Sequence, residues 1–501
     1  MRKQVGFLIV VLAGLYVLLS YPVLASEQGC SSLSALSLKD VRITATEQVS
    51  GGGEWAYPPS VFNVMAGPNP GTEAAFCRVA GFIEKEIGFE VWLPANWNER
   101  FQAVGNGGLT GAINYPAMNG AVLGGFATAS TDTGHVTPED FFDASWIAGH
   151  PDRVENFGHR GHHLLAVTAK KIIAAYYGRG PKKSYFTGCS SGGWQGLTEA
   201  QKYPEDYDGI VAGAPANNFI RLQTRGFWVD ALERENPDRL LDEAAVKLLV
   251  SGAYAKCDPL DGVRDGIISH PRSCSFDPME LVCKDGQKEG CLTRMQAVHA
   301  QVLYGPESTK KGMPLYPGNA YGASPFLVIP TAEAQLALTE IVTADERDWT
   351  PETFDPDRDI PELEKKLGSS LSAWETDLSA FRARGGKLIV YHGWTDPLLS
   401  PYNSIAYLQD VQKKMGDVGN FYRLFMVPGM DHCAGGPGPN RLDTVKAIVD
   451  WVEKGAAPET MIATGAGKDR AIRTRPLCVY PEVAHYNGGG DPDMAKNFEC
   501  R

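Results

Sequence analysis

The sequence predicts an α/β fold interrupted by a large insertion. From residue 89 to residue 218, short apolar runs typical of strands alternate with longer runs of helical periodicity. The alternation returns after residue 385, whereas the stretch between carries charged helical runs, Pro-rich loops and four of the ten cysteines. Strands that alternate with helices favour an α/β sheet. We therefore expect a first core part, an inserted lid domain and a second core part, at residues 26–217, 218–375 and 376–501.

The predicted elements follow one another in a regular order. In the first core part, strands are predicted at FEVWLP, FQAV, GGFATAST, SYFTG and GIVAGAP, and helices at HHLLAVTAKKIIAAYYG and GGWQGLTEAQKYP. In the second core part, GKLIVYHG and FYRLFMVPG are predicted strands, with helices around residues 404–414 and 443–454. The motifs that carry chemistry fall where several of these strands end.

The first 25 residues are typical of an export signal. Arg2 and Lys3 give a basic start, residues 5–19 form an apolar run, and Ala25 closes a small-residue cleavage site. An uncleaved membrane anchor is the alternative, because the apolar run approaches spanning length. We expect a secreted or periplasmic protein with no membrane contact after the signal is removed.

Charge and cysteine content narrow the function classes. The chain has 47 Lys and Arg against 59 Asp and Glu, and the net charge of -12 is spread along it, which argues against nucleic acid as a partner. Ten cysteines remain in the predicted mature chain, and export makes disulfides the default. No C-x-x-C pair occurs, so a structural zinc or a redox motif has little support.

Residues 188–192, Gly-Cys-Ser-Ser-Gly, match the pattern G-x-S-x-G between a predicted strand and a predicted helix. In that setting the central serine sits on a sharp turn that tolerates little beyond glycine on either side. The helix N-terminus also offers N–H groups to a developing oxyanion. The pattern alone also fits a plain turn, but the strand-turn-helix context favours Ser190 as a nucleophile.

A serine nucleophile needs a base, and the base needs an acid to hold it. Asp396 and His432 each follow a predicted strand, and the chain order Ser190, Asp396, His432 is that of an α/β-hydrolase. Asp431 cannot easily turn back onto its neighbour's ring, so we interpret it as a turn residue. His392, within the preceding strand end, is interpreted as a satisfied structural histidine.

Two cysteines flank the predicted catalytic residues. Cys189 precedes Ser190, and Cys433 follows His432. If the serine and the imidazole lie within hydrogen-bond reach, their neighbours are also close, so a Cys189–Cys433 disulfide is geometrically plausible. The alternative is that the two cysteines pair elsewhere.

An oxyanion hole needs two N–H donors. Ser191, directly after the nucleophile, supplies one. The glycine-rich loop that follows the predicted strand at residues 101–104 offers the second, with Gly108 as first choice and Gly107 as second. An ordinary strand-ending turn is the alternative for this loop.

Two groups of residues raise the question of metal. The sequence CDPLDGVRDGII places Asp258, Asp261 and Asp265 in one compact loop of hard oxygen ligands suited to Ca²⁺, although a solvated Asp-Gly turn fits equally well. If metal binds there, Val263 and Ile267 contribute backbone carbonyls.

The histidines at positions 159, 162 and 163 open a helix without a matching carboxylate spacing, so we predict no metal role for them.

The motifs GCSSGG, HGWTD and DHC, with CDPLDGVRDGII between them, resemble those of the tannase and feruloyl esterase family, which includes a mono(2-hydroxyethyl) terephthalate hydrolase. The resemblance covers nearly all of the mature chain. It implies an α/β-hydrolase core with a large inserted lid, hydrolysis of esters of aromatic acids, and the roles given above for the triad and for the Cys189–Cys433 disulfide.

The same resemblance implies a cofactor and further disulfides. The family's structural Ca²⁺ site falls on Asp258, Asp261, Val263, Asp265 and Ile267. Its remaining disulfides correspond to the pairs Cys30–Cys77, Cys257–Cys274, Cys283–Cys291 and Cys478–Cys500.

The resemblance leaves more than one substrate class open. The expected substrate is a small aromatic ester of the feruloyl esterase or tannase type. A terephthalate monoester is an alternative, but the lid stretch GMPLYPGNAYGASPF is shorter than in enzymes of that type, which favours a plant phenolic ester. A serine exopeptidase is the other alternative, because the fold and the triad do not fix the substrate.

Overall fold

The structure is a computed structural model that describes residues 29–65, 71–137, 141–147, 149–325, 351–466 and 472–501. The predicted signal peptide at residues 1–25 lies outside the described residues. Among the helices that the structure describes, none has the length and apolar character needed to cross a membrane.

A large twisted sheet forms the centre of the molecule. Within the described residues it has nine strands: β1 (Val41–Val49), β2 (Phe76–Ile83), β3 (Ile87–Pro94), β4 (Arg100–Val104), β5 (Ala127–Thr131), β6 (Lys183–Cys189), β7 (Gly209–Gly213), β8 (Lys387–Gly393) and β9 (Tyr422–Val427). Their spatial order is β1-β2-β3-β5-β4-β6-β7-β8-β9. The first four in this order pair antiparallel, and the last six, β5, β4, β6, β7, β8 and β9, pair parallel. The carboxyl ends of six parallel strands therefore meet at one edge.

Helices cover the sheet and fill the connections. In the described residues they are α1 (Val61–Met65), α2 (Tyr115–Leu123), α3 (Pro151–Glu155), α4 (Gly161–Tyr177), α5 (Ser191–Lys202), α6 (Phe219–Glu235), α7 (Glu243–Cys257), α8 (Arg294–Tyr304), α9 (Pro356–Leu371), α10 (Ser379–Ala383), α11 (Pro401–Met415) and α12 (Thr444–Lys454). Two small hairpins follow the sheet, β10 (Thr460–Ala466) with β11 (Ile472–Cys478) and β12 (Ala484–Tyr486) with β13 (Phe498–Cys500). This order matches the strand and helix alternation predicted for the two core parts.

The burial pattern explains why the central strands are continuous apolar runs in the sequence. All residues of β3, β5 and β7 are buried, because helices lie on both faces of the sheet there. β1, at the edge, instead alternates between half-buried and exposed residues along its first four positions. The core of the sheet is formed by fully buried side chains that include Val91, Phe101, Phe186 and Val390.

The chain leaves the sheet between β7 and β8 and builds a second hydrophobic cluster there. The second cluster includes Leu249, Leu292 and Leu303 and lies entirely between residues 227 and 360. Leu363, Leu367 and Leu371 of α9 belong instead to the cluster around the sheet. The segment between β7 and β8, residues 214–386 and called the excursion below, therefore packs against the core of the sheet. The domain boundaries at residues 217 and 375 stay a prediction.

A buried ion pair supports the same excursion. Nε and Nη2 of Arg225 donate to the carboxylate of Glu307 at 2.5–2.9 Å, and Nη2 also reaches Asn319 Oδ1 at 2.6 Å. Both charged side chains are fully excluded from solvent. Because a buried charge without its partner is costly, this pair fixes α6 against the loop that carries Glu307.

Five disulfides connect the chain, and they are the pairs named in the sequence analysis. They are Cys30–Cys77, Cys189–Cys433, Cys257–Cys274, Cys283–Cys291 and Cys478–Cys500. The described residues contain no free cysteine. One of these bridges spans 244 residues and joins the two core parts, whereas the others close loops of 8 to 47 residues.

Candidate active site

Ser190 occupies a strained turn between β6 and α5. Its backbone has φ 64° and ψ -124°, a region that residues other than glycine rarely adopt. Its N–H donates to Gly213 O at 3.0 Å, and its carbonyl accepts from Ala216 N at 3.2 Å. These bonds hold the strained conformation in place, as is common where a nucleophile is presented to substrate.

The glycines on either side of Ser190 are there because the turn has no room for a side chain. A Cβ at Gly188 would lie 2.5 Å from the carbonyl carbon of Gly192, and one at Gly192 would lie 2.7 Å from Asn106 O. Real Cβ atoms do not approach backbone atoms so closely. The G-x-S-x-G spacing is therefore required by the packing of β6, α5 and the loop after β4.

His432 and Asp396 meet at the carboxyl ends of β9 and β8. His432 Nδ1 lies 2.8 Å from Asp396 Oδ2, and Asp396 Oδ1 accepts the N–H groups of Leu398 and Leu399, both at 2.9 Å. Burial alone would raise the pKa of Asp396, but the charge of His432 and the hydrogen bonds from His392 and His432 outweigh it and lower that pKa below its usual value. The carboxylate therefore stays ionised and fixes the imidazole with its proton on Nδ1.

The Cys189–Cys433 disulfide joins the two turns that carry the serine and the histidine. The Cα atoms of the two cysteines are 5.9 Å apart. Cys433 itself has φ 63°, a left-handed conformation that the bridge helps to hold. Both proposed catalytic loops are thus tied together directly beside Ser190 and His432.

Ser190 and His432 line one cavity of about 660 Å³. Most of its wall is apolar, with Phe62, Leu109, Val211, Leu222, Leu398 and Leu399 among the lining residues. Gln223 and Gly226 of α6 also line it, so the excursion between β7 and β8 forms part of the wall. A cavity of this size suits a small organic ligand, with a few polar groups to orient it.

The loop after β4 lies beside the nucleophile and presents the predicted oxyanion donors. Gly107, Gly108 and Ser191 all line the cavity. Ser191 Oγ donates to Gly108 O at 2.6 Å, which joins the loop to the start of α5. Among the described residues, the amide N–H groups of Gly108 and Ser191 have no protein acceptor, so both are available to an oxyanion.

Sequence reasoning missed the residues that hold this loop. Asn106 N–H donates to Gln195 Oε1 at 2.9 Å, and Asn106 Nδ2 donates to the carbonyls of Ala112 and Thr131, each at 2.9 Å. His162 Nε2 completes the set at 2.8 Å from Asn106 Oδ1. Burial lowers the pKa of His162 to about 3, so the ring is neutral and donates. The asparagine in the Gly-Asn-Gly-Gly stretch at residues 105–108 was the sequence signal from which its role in holding the loop could have been predicted.

The three histidines considered as a metal cluster point to different partners. His159 Nδ1 lies 2.7 Å from the Tyr203 hydroxyl, and His163 Nδ1 lies 2.6 Å from Asp206 Oδ2. His162, as described above, contacts Asn106. Each ring thus has a separate structural contact on α4 or next to it.

We expect Gly108→Ala to lower kcat by about 10- to 100-fold, because it displaces a predicted oxyanion donor. Gly108 has φ +56°, and a Cβ there would lie 2.2 Å from Phe141 O, so the loop must shift. Gly178→Ala is the matched control, since Gly178 has φ +72° at the end of α4 with nothing within 4 Å of its Cβ position. Steady-state kinetics and thermal melts on both variants check this, and equal kcat values would contradict the assignment.

The predicted calcium residues form one partly buried loop at the end of α7. Asp258 accepts the N–H groups of Asp265 and Gly266 at 3.2 and 3.1 Å, and Asp261 accepts Ser269 Oγ at 2.6 Å. Burial raises the pKa of Asp261 to about 6 and also raises that of Asp265. Among the described residues no three acidic, histidine or cysteine side chains are already arranged as a metal site.

The charge balance of this loop nevertheless fits a cation. The Asp265 carboxylate contacts the buried guanidinium of Arg475, while nearby Arg473 is paired with Asp493 at 2.6 Å. Among the described residues, the carboxylates of Asp258, Asp261 and Asp265 therefore have one cation, Arg475, that forms its ion pair with this loop alone. Hard oxygen donors with excess negative charge are what Ca²⁺ prefers.

Comparison with known proteins places this arrangement in a family. The family model described as tannase and feruloyl esterase matches residues 72–353 and 339–501. The chain belongs to the tannase and feruloyl esterase family. Membership makes the protein a carboxylic ester hydrolase with the α/β-hydrolase fold, as the sequence analysis predicted.

Similar proteins within the family come from bacteria and fungi. The chain is 37% identical to a probable feruloyl esterase of Arthroderma benhamiae, over 89% of this chain and 88% of the relative. It is 32% identical to an uncharacterised esterase of Xanthomonas campestris, over 95% and 92%. The crystal structure of an esterase from Aspergillus oryzae has a TM-score of 0.86 and 32% identity, covering 94% of this chain and 99% of that one.

Proposed function

We propose that the protein is an exported serine esterase that hydrolyses esters of aromatic, phenolic acids through Ser190, His432 and Asp396. The observation that carries this proposal is the juxtaposition at one cavity of a serine on a strained turn and a histidine bonded to a buried, ionised aspartate. These are the parts that nucleophilic ester hydrolysis requires.

In the proposed reaction, Ser190 Oγ attacks the ester carbonyl while His432 Nε2 takes its proton. The tetrahedral oxyanion accepts hydrogen bonds from the N–H groups of Ser191 and Gly108. The alcohol leaves with the proton held by His432, and an acyl-enzyme remains on Ser190. Water, activated by the same imidazole, then attacks this acyl group, and the aromatic acid is released with Ser190 regenerated.

The lining of the cavity supports an aromatic acyl group with polar substituents. Phe62 and Phe141 pack edge to face with ring centroids 5.5 Å apart and both line the cavity, which suits a flat ring. Within the part of the chain that the structure describes, the buried Gln223 Oε1 has no hydrogen-bond partner. A buried acceptor without a donor destabilises the folded protein, and a hydroxyl group of a bound ligand would donate the missing hydrogen bond. The names of several relatives, probable feruloyl esterases, point in the same direction.

The substrate class is tested by a panel of methyl ferulate, methyl gallate, mono(2-hydroxyethyl) terephthalate and an amino-acid p-nitroanilide. We expect kcat/KM on at least one phenolic methyl ester to exceed that on the terephthalate monoester by about 10-fold or more. We expect no turnover of the anilide. A preference for the terephthalate ester would make that ester the proposed substrate. Cleavage of the anilide would show that the protein is an exopeptidase.

We also propose that the loop at residues 258–267 binds a structural Ca²⁺, with ligands from Asp258, Asp261, Asp265 and the carbonyls of Val263 and Ile267. The ion would neutralise the excess negative charge described above and stabilise the loop closed by Cys257–Cys274. It takes no part in the proposed ester chemistry.

Chelation should therefore destabilise the protein. We expect EDTA to lower Tm by several degrees, because losing a ligand that binds only the folded state removes its stabilisation. Adding excess Ca²⁺ should restore Tm. Asp261→Ala should abolish this response, whereas Asp285→Ala, in an exposed turn, should keep it. A wild-type Tm that does not respond to EDTA or Ca²⁺ would rule out a stabilising site.

The remaining proposals concern export and the excursion between β7 and β8. The signal at residues 1–25 and the five disulfides support a secreted or periplasmic enzyme. Residues 218–375 are proposed to act as a lid, because Leu222, Gln223 and Gly226 line the cavity from that side. Its side chains would then select the substrate.

A further inference from the structure

A second histidine contacts the same carboxylate oxygen as the proposed catalytic base. His392 Nε2 lies 3.2 Å from Asp396 Oδ2, the atom that also accepts His432 Nδ1 at 2.8 Å. Both His392 and Asp396 are completely buried. The Asp396 carboxylate therefore receives four N–H groups: two from imidazoles and two from the backbone at positions 398 and 399.

The partners of His392 determine where its proton lies. Nε2 faces two acceptors, Asp396 Oδ2 and the Leu399 carbonyl at 3.1 Å, so it must carry the hydrogen. Nδ1 lies 2.8 Å from Ser404 Oγ, a hydroxyl that can donate to it. Both ring nitrogens are thus hydrogen-bonded, with Ser404 of α11 on one side and the carboxylate on the other.

We propose that His392 is a positioning residue for the ester hydrolysis, which holds Asp396 Oδ2 in line with His432 and moderates the basicity of the carboxylate. The inference rests on the proposed function, because it gives His392 a part only if Asp396 orients His432. Without the Nε2–H bond, the carboxylate can rotate about its Cβ–Cγ bond and pull the imidazole away from Ser190.

The other titratable groups near this pair stay the same in every variant considered. Asp431 neighbours His432 in the chain, and burial raises its pKa. Tyr316, across from Asp396, has a pKa that burial raises well above its usual value, so it stays neutral. Tyr254 stays neutral as well, because burial together with the charge of Asp431 raises its pKa. A change in the pH profile is thus attributable to the substituted side chain.

Two conservative variants separate the two hydrogen bonds of His392. In His392→Gln the side-chain amide can occupy the place of Nε2 and still donate to Asp396. In His392→Asn the amide occupies the place of Nδ1, so it keeps the contact with Ser404 and loses the one with Asp396. The two variants are compared with wild type for kcat, KM, the pH profile of kcat/KM and Tm.

We expect His392→Asn to lower kcat by about 10- to 100-fold with little change in KM, whereas His392→Gln should stay within about 5-fold of wild type. The carboxylate that lost a donor attracts the protonated imidazole of His432 more strongly. The acid limb of the kcat/KM profile should therefore move to higher pH by about 0.5 unit in His392→Asn, and return towards wild type in His392→Gln.

The inference would be overturned if the two variants had equal kinetics. It would also be overturned if kcat fell only in proportion to Tm, with no shift of the acid limb of the kcat/KM profile; His392 would then be a purely structural residue. Failure of both variants to fold would overturn it in the same way. Activity that survives Ser190→Ala would instead remove the proposed function on which the inference rests.

Discussion

Ser190→Ala should lower kcat by about 10⁴- to 10⁶-fold while leaving the protein folded. The serine Oγ is the only atom removed, and the turn is held by backbone bonds from Ser190 to Gly213 and Ala216, which alanine keeps. The strained φ of 64° costs alanine no more than it costs serine. Hydrolysis of a phenolic methyl ester, measured with Tm and circular dichroism, tests this directly.

The control for that experiment is Ser251→Ala, an exposed serine on α7, which should behave as wild type. A fluorophosphonate probe should label wild type and Ser251→Ala at residue 190 and leave Ser190→Ala unlabelled. Retention of full esterase activity by Ser190→Ala would show that another nucleophile acts, and would end the proposal.

Removing the Cys189–Cys433 bridge should have the largest effect on stability. By the loop-entropy argument, opening a link between residues 244 apart costs about 5.5 kcal/mol of unfolding free energy, against about 2.5 kcal/mol for a link between residues 8 apart. We therefore expect Cys189→Ser/Cys433→Ser to unfold at much lower urea than the control Cys283→Ser/Cys291→Ser.

The same double variant should also lose activity in the folded state. Because the bridge fixes the turns that carry Ser190 and His432, its loss should lower kcat by about 10-fold or more even below the unfolding transition. Urea unfolding and kinetics at low temperature separate the two effects. A double variant with wild-type kcat and a stability loss no larger than the control would show that the bridge is dispensable.

Much of the core fold could be predicted because its signals are local. Strands such as β6 and β8 are short apolar runs, and helices such as α4 and α12 show clear amphipathic spacing, so their positions follow from the sequence. The antiparallel strands β1 and β2 and the C-terminal hairpins were not predicted. They depend on pairing with distant neighbours, which leaves a weaker pattern in the sequence.

The candidate site was predictable where chemistry requires particular residue types. A nucleophile between glycines, and an acid and a base after later strands, follow from the requirements of the reaction. The supporting residues Asn106, Gln195 and His162 were not, because their roles depend on which loop packs against which helix. The sequence predicts a structural role for His392; in the structure both its ring nitrogens are hydrogen-bonded, and one of the partners is Asp396 itself.

The parallel order of β6, β8 and β9 also determines when the enzyme can first act. Ser190 is synthesised long before Asp396 and His432, and the 173 residues of 214–386 emerge in between. If Ser190, His432 and Asp396 act together as proposed, a growing chain carries an inert serine until β9 has joined the sheet. The thiol of Cys189 waits equally long for Cys433, so the proposed site and the disulfide beside it can form only after residue 433 has been synthesised.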